Sequence, residues 1–192
     1  MVQFVAYYRF LNRGIVKRIR VMNKKKDAII IILICNAILI SLLELIIPVP
    51  IPVPGVKLGL ASIITIIAIA FLDFKDVMTI VILRCLVVAI LSKGITVLPF
   101  SLTGGVLSAT AMWLLYRKLA RWFSIKGISV VGAIVHNTAQ LGVASLILGE
   151  SVIFYYIPIL LISAVVTGLI TGTIGELTIG EIQKRGIFKE II

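Results

Sequence analysis

The sequence predicts an all-α polytopic membrane protein with six transmembrane helices and both termini in the cytoplasm. Six apolar stretches, each long enough or nearly long enough to cross a bilayer, occupy residues 27–174. Hydrophobic residues make up 60% of the chain and charged residues only 14%, whereas soluble domains contain about 25% charged residues. Because a soluble core cannot bury so much apolar surface, we expect the chain to lie in the lipid bilayer of the cell's inner (cytoplasmic) membrane.

The basic residues predict the orientation because they fall almost entirely in every second gap between the apolar stretches. Eight of the 19 precede residue 27, four lie from Arg117 to Lys126 and three follow residue 180. Loops rich in lysine and arginine stay on the cytoplasmic side. The net charge of +11 is therefore interpreted as attraction to anionic headgroups, and nucleic acid is not expected as a partner.

The chain divides into three predicted segments around one membrane domain. Residues 1–26 combine aromatic and basic side chains, which is typical of a cytoplasmic segment or one lying in the headgroup layer. Residues 27–176 form the six-helix membrane domain, and residues 177–192 form a cytoplasmic tail. Met22, just before a short basic run, is a second candidate for the first residue.

The first three spans are predicted at about residues 27–47, 58–72 and 77–91. After the first span, proline occupies positions 48, 50, 52 and 54, which excludes helix and favours an extended backbone. Such a backbone cannot lie exposed in hydrocarbon, so we interpret it as an outer lid. The turn at residues 73–76 joins the second and third spans in a tight hairpin on the cytoplasmic side.

The fourth and fifth spans are predicted at about residues 97–116 and 128–148, and the sixth follows. Gly104 and Ser108 in the fourth span, and Gly168 and Gly172 in the sixth, have small-x-x-x-small spacing. This spacing lets neighbouring helix backbones approach closely. These four residues are therefore predicted to serve helix packing.

Two charged residues inside the spans are candidates for ligand contacts, because a charge at membrane depth must be paired or face a cavity. Arg84 lies about 10 Å above the cytoplasmic end of the third span. It requires an anion, supplied either by Glu44 near the outer end of the first span or by a phosphate or carboxylate of a substrate. An internal ion pair that only holds helices together stays open as the alternative.

The fifth span carries the least membrane-like side chains of the chain. His136 and Gln140, four residues apart, share one helix face, and Asn137 is turned about 100° away. Such a group lines a polar cavity or clamps two helices together. Lys57, at the outer end of the second span, is a candidate for the mouth of the cavity or a snorkelling anchor.

The two cysteines, Cys35 and Cys85, lie at similar predicted depth inside apolar spans. Together they could hold half of an iron–sulfur cluster, which normally takes four cysteines. A buried free cysteine is otherwise a small hydrophobic residue. With a single histidine and no Cys-x-x-Cys motif, no metal site is predicted, and the cofactor stays undetermined.

Three patches carry a family resemblance: Pro54 to Val77 with its KLGLA run, Ser101 to Trp113 with its double glycine, and Gly132 to Ser145 with HN-x-x-Q. In this order they resemble the Gx transporter family, often labelled heptaprenyl diphosphate synthase component I. That family is similar in size and topology to the substrate-binding S components of energy-coupling-factor transporters. The resemblance implies an S-component-like bundle that binds a small molecule near the outer face, under the loop between the first two helices.

The predicted function is substrate binding and transport, with a small anionic or amphiphilic molecule bound in a polar cavity under the proline lid. The ligand contacts are predicted to be Glu44, Lys57, Arg84, His136, Asn137 and Gln140. No G-x-x-x-x-G-K-[ST] loop occurs, so energy would come from a partner such as an energy-coupling ATPase module. The first helix departs from the S-component pattern, because Ala28 is followed four residues later by Ile32.

Two alternatives come from the same resemblance. Relatives are components of flavin-based extracellular electron-transfer systems, which implies flavoprotein partners and an isoprenoid quinone or flavin as ligand. The family label also implies a subunit associated with prenyl diphosphate synthesis. Catalysis by this chain is not expected, because synthases of that kind use DDxxD motifs to hold magnesium and diphosphate, and none occurs here.

Overall fold

The structure is a computed structural model that describes residues 24–44, 46, 59–92, 95–119, 121–149 and 151–186. All regular secondary structure in these ranges is helical, which confirms the all-α prediction for them. The α-helices are α1 (Lys24–Glu44), α2 (Ser62–Phe71), α3 (Phe74–Leu91), α4 (Leu98–Lys118), α5 (Ile125–Leu148) and α6 (Ile157–Lys184). Short 3-10 helices, Ile95–Val97 and Ser151–Tyr156, precede α4 and α6.

Four of these helices are long and apolar enough to cross a membrane: α1, α4, α5 and the stretch Phe154–Lys184 that contains α6. The chain is therefore a membrane protein by the length and composition of its helices. The other two are less typical of membrane spans. Helix α2 has only 10 residues, about 15 Å of rise and half the thickness of a hydrocarbon core. Helix α3 has 18 residues and includes Lys75, Asp76 and Arg84.

Helix α2 is shorter than the span predicted at residues 58–72 because its start is displaced along the chain. Gly59 has a φ of +80°, a left-handed conformation that glycine adopts readily and that does not continue a helix. The α-helix therefore begins only at Ser62. The last helix is longer than predicted: α6 continues through the predicted domain boundary at residue 176 to Lys184.

Several helix ends meet at one end of the bundle. We call it the basic end, and it carries the start of α1, the end of α4, the loop to α5 and the start of α5, with Lys26, Lys118, Arg121 and Lys126. Lys26 Nζ, at the start of α1, lies 2.7 Å from Asp76 Oδ2 and 3.4 Å from Asp73 Oδ2, in the turn before α3. Phe74 and Trp113 pack edge to face with ring centroids 5.0 Å apart, which brings the end of α4 to the same place. These contacts place the starts of α1 and α3 and the last turns of α4 at the same end of the bundle.

Small residues allow α5 and α6 to pack backbone to backbone. A β-carbon on Gly168 would lie 2.5 Å from Val130 Cα, and one on Gly172 would lie 2.7 Å from Lys126 Cα. Both distances are too short for real carbon atoms, so only glycine fits there. Ser108, predicted to serve packing on α4, is also buried.

The short helix α2 occupies the centre of the described bundle. It packs against α3, α4, α5 and α6, and its side chains Ile66 and Ile69 are fully buried. The turn that precedes α2 lies between α1 and α5, since Gly59 and Leu60 donate to Glu44 on α1 and Gly59 lies against His136 on α5. This turn forms one side of the candidate site.

Candidate functional site

A polar cavity lies between α1, α3, α4 and α5, away from the basic end. Its lining comes from α1, from the turn before α2, and from α3, α4 and α5. The lining residues are Ser41, Glu44, Gly59, Arg84, Cys85, Val88, Ser101 and His136. The free space is small, with room for about one water molecule. Three of the predicted ligand contacts, Glu44, Arg84 and His136, thus come together around one cavity.

Arg84 is buried in the wall of this cavity, with 9% of its surface exposed. Its Nη1 donates to Ser41 Oγ over 3.4 Å, and its Nη2 lies 3.8 Å from Cys85 Sγ. The Nε atom is buried without a hydrogen-bond partner among the described residues. A guanidinium group offers five N–H donors, so these long contacts with neutral groups leave much of its donor capacity for another acceptor.

Glu44 is also buried, with 4% of its surface exposed, and it ties α1 to the turn before α2. Its Oε1 accepts hydrogen bonds from the backbone N–H of Gly59 and, over 3.4 Å, from that of Leu60. These bonds compensate part of the cost of burying a carboxylate. Glu44 therefore fixes one edge of the cavity as well as lining it.

The imidazole of His136 lies between two glycines. A β-carbon on Gly104 would be 3.1 Å from its Cε1 and Nδ1, and one on Gly59 would be 3.7 Å from its Cδ2. Gln140, one turn further along α5, is fully buried and would lie 3.0 Å from the same Gly104 β-carbon through its Cγ. Gly104 thus gives the polar side chains of α5 space against α4.

Asn137 does not line the cavity but faces α6. Its Nδ2 donates to the carbonyl oxygen of Leu160 over 3.4 Å, and its Oδ1 is buried without a partner among the described residues. Asn137 therefore joins α5 to α6, an arrangement that fits the clamp interpretation for this residue.

Besides Cys85 and Gly104, five lining or supporting residues were not among the predicted ligand contacts: Ser41, Gly59, Val88, Ser101 and Gly105. Gly105 lies against α3, where its β-carbon would be 3.1 Å from Arg84 Nη2 and 3.0 Å from Val81 Cγ1. The sequence contained a signal for two of them, since Gly59 belongs to the KLGLA run and Gly105 to the double glycine. Ser41 and Ser101 carry no such signal, because isolated serines are common in membrane helices.

The two cysteines have different surroundings. Cys85 is buried and lines the cavity, and its thiol donates to the carbonyl oxygen of Ser101 over 3.3 Å. Cys35 is exposed on α1. Among the described residues, no three His, Cys, Asp or Glu side chains are grouped so that they could hold a metal ion.

Two predicted features lie outside the described residues. They are Lys57, predicted as a ligand contact, and the proline run, predicted as a lid.

The family model described as heptaprenyl diphosphate synthase component I matches residues 33–178. The chain belongs to this family. The matched range includes every residue that lines the cavity and runs from α1 well into α6. No curated protein and no solved structure matches the chain. Membership in the heptaprenyl diphosphate synthase component I family thus rests on the same part of the chain that forms the candidate site.

Proposed function

We propose that this protein is a membrane-embedded substrate-binding component that holds the anionic group of a small molecule in the cavity, with Arg84 as the anion contact. The observation that carries the proposal is the state of this arginine, which is buried, lines the cavity and has an Nε without a partner among the described residues. A charged side chain at membrane depth is costly unless it is paired or serves a function. A bound carboxylate or phosphate would supply the missing acceptor.

The rest of the lining supports a ligand with polar atoms around the anionic group. Glu44 and Ser41 stand on the α1 side, and His136 stands on the α5 side. The side chains of His136, Ser41 and Ser101, which all line the cavity, can each accept or donate a hydrogen bond. Because the present free space holds only about one water molecule, a ligand larger than a simple anion enters only when the surrounding segments move apart.

We further propose that the basic end faces the cytoplasm and that the cavity opens toward the outer side. The described ion pairs of Lys26 with Asp76 and of Lys126 with Glu176 lie at the basic end, where they hold the helices together. In this orientation, we propose that the protein works as the substrate-binding S component of an energy-coupling-factor-type transporter. Uptake would then draw its energy from a partner ATPase module, because the chain itself carries no nucleotide-binding loop.

A second candidate follows from the family description, which refers to one component of a prenyl diphosphate synthase. In that case the same arginine would bind a diphosphate, and the chain would be a non-catalytic subunit. The described acidic residues Asp73 and Asp76 pair with Lys26 at the basic end, which argues against their use as magnesium ligands. The electron-transfer alternative, with flavoprotein partners, has no specific support from the described residues.

The test is ligand-dependent thermal stability of the purified protein in detergent. The unfolding temperature of the wild type would be compared with that of Arg84→Gln in a carboxylate series, inorganic phosphate, inorganic diphosphate and an isoprenoid diphosphate. Arg121→Gln is the matched control, because Arg121 is exposed at the basic end and the variant loses the same charge. We expect at least one class of anion to stabilise the wild type and Arg121→Gln, and not Arg84→Gln.

The pattern of stabilisation separates the two candidates. A response to carboxylates or to phosphate alone supports the transport component, whereas a response restricted to the two diphosphates supports the synthase subunit. If no anion stabilises the wild type more than Arg84→Gln, Arg84 does not bind a ligand anion. If Arg84→Gln fails to fold while Arg121→Gln is normal, the arginine serves the helix bundle itself.

A further inference from the structure

One polar side chain lies on the outward face of α1, away from the cavity. Asn36 is exposed, and it lies about 18 Å along the helix axis from Lys24, near the middle of a hydrocarbon core about 30 Å thick. Its Nδ2 donates to the carbonyl oxygen of Ile32 over 2.8 Å. This bond within the same helix occupies one N–H of the carboxamide, and its other N–H and its oxygen have no partner among the described residues.

A carboxamide in this position is unfavourable in a single chain surrounded by lipid. Hydrocarbon offers no hydrogen bonds, so an asparagine in a membrane helix normally contacts another helix or a cavity. The neighbouring exposed residues on this face are large and aliphatic: Ile32, Leu39, Leu43 and Ile46 are each 58–79% exposed. Together with Asn36 they follow spacings of four, three, four and three residues, the repeat of a helix-pairing seam with one asparagine inside it.

We propose that the outward face of α1 is a dimer interface with the α1 helix of a second copy of this chain. All copies have the same orientation in the membrane, so a two-fold axis along the membrane normal places the two Asn36 residues at the same depth. A carboxamide has both donor and acceptor groups, so two of them can form reciprocal hydrogen bonds. A second copy thus brings the required polar group to the required depth by symmetry.

This dimer leaves the cavity accessible to its ligand, because the cavity uses the other face of α1. Ser41 and Glu44 line the cavity and are buried, as is Ala37 on the same side of the helix. The proposal is therefore independent of what the cavity binds. Lys24 and Lys25, exposed at the start of α1, lie in the headgroup region, where water and anionic lipid screen their repulsion in the dimer.

The test is disulfide cross-linking in native membranes of a Cys35→Ser background, which keeps the buried Cys85. Leu39→Cys and Leu43→Cys place thiols on the proposed seam. Ile162→Cys is the matched control, because Ile162 on α6 is 68% exposed and reports random collisions. We expect mild oxidation to yield a product of twice the mass of the chain for both α1 variants and not for Ile162→Cys.

A second measurement removes the polar group while keeping the rest of the seam. Asn36→Leu should raise the dimer dissociation constant about fivefold in detergent, which corresponds to a loss of about 1 kcal/mol for the pair of carboxamides. Any one of three results would overturn the proposal. They are equal cross-linking at position 162, a cross-linked product of any other mass, and a wild type that is monomeric in native membranes and in detergent. A product of another mass would identify a different membrane protein as the occupant of this face.

Discussion

Gly105 on α4 lies directly against the guanidinium group of Arg84 on α3. A β-carbon built on this glycine would be only 3.1 Å from Nη2, closer than a methyl group normally packs. The adjacent Gly104 stands in the same relation to His136 on α5. The two adjacent glycines of α4 therefore leave room for polar side chains of α3 and α5 to reach one cavity. Helix packing alone does not explain why both positions are glycine.

Gly105→Ala should displace Arg84 and weaken anion binding. The added methyl group would meet both Nη2 of Arg84 and Cγ1 of Val81, at 3.1 and 3.0 Å, so the guanidinium group must shift by a few tenths of an ångström. We expect the ligand-induced rise in unfolding temperature to fall at least severalfold. Gly142→Ala on α5 is the control, since nothing lies within 4 Å of its β-carbon. Equal binding by both variants would show that the cavity does not depend on this contact.

Arg84→Met should leave the unliganded protein as stable as the wild type or make it more stable. The arginine buries a charge with weak hydrogen bonds, and replacing such a group by an apolar side chain of similar length removes a desolvation cost. Functional sites often contain residues that bind a ligand at the expense of the stability of the unliganded protein. The measurement is the unfolding temperature without ligand. A clear loss of stability would indicate that Arg84 holds the helices together through its own polar contacts.

Glu44→Ala should destabilise the protein, whereas Glu44→Gln should have a much smaller effect. The alanine variant leaves the N–H groups of Gly59 and Leu60 without their acceptor, at a cost of about 1–3 kcal/mol for a buried donor. Glutamine keeps an oxygen in the same place and loses only the charge. Unfolding in a denaturing detergent series would compare the two variants. Equal losses would show that the negative charge, not the hydrogen-bond acceptor, stabilises the turn before α2.

Gly168→Ala should separate α5 from α6. Its β-carbon would lie 2.5 Å from Val130 Cα, and backbone atoms cannot move aside as a flexible side chain can. Overpacking of this kind costs about 1–3 kcal/mol. Gly180→Ala on the same helix is the control, because its β-carbon meets nothing within 4 Å. If the two variants unfold at the same temperature, the close approach of α5 and α6 does not contribute to stability.

The helical architecture could be predicted because its causes are local. Long apolar runs form helices in a bilayer, where every backbone group must be satisfied within the segment. The start of α2 could not be predicted in the same way, because it depends on the left-handed conformation of Gly59 and on the carboxylate of Glu44, a residue on another helix. The apolar pattern continues through this turn, and only the glycine of the KLGLA run marks its position in the sequence.

The membership of the cavity could be predicted only in part. Glu44, Arg84 and His136 stand out because charged and imidazole side chains are rare at membrane depth. The sequence places Asn137 about 100° around α5 from His136, yet both are predicted as ligand contacts; in the structure Asn137 donates to Leu160 on α6. Which side of α5 faces the cavity depends on how all the helices pack, and the spacing of three polar residues does not determine that.

The orientation of the chain can be tested with single cysteines placed at the two ends of the bundle. Arg121→Cys lies at the basic end and Tyr155→Cys at the opposite end, and both native residues are exposed. In a background with Cys35→Ser and Cys85→Ala, an impermeant maleimide added to intact cells should label position 155 and not position 121, because basic loops remain cytoplasmic. Permeabilised cells serve as the control in which both sites react. Labelling of position 121 alone in intact cells would reverse the orientation and place the cavity on the cytoplasmic side.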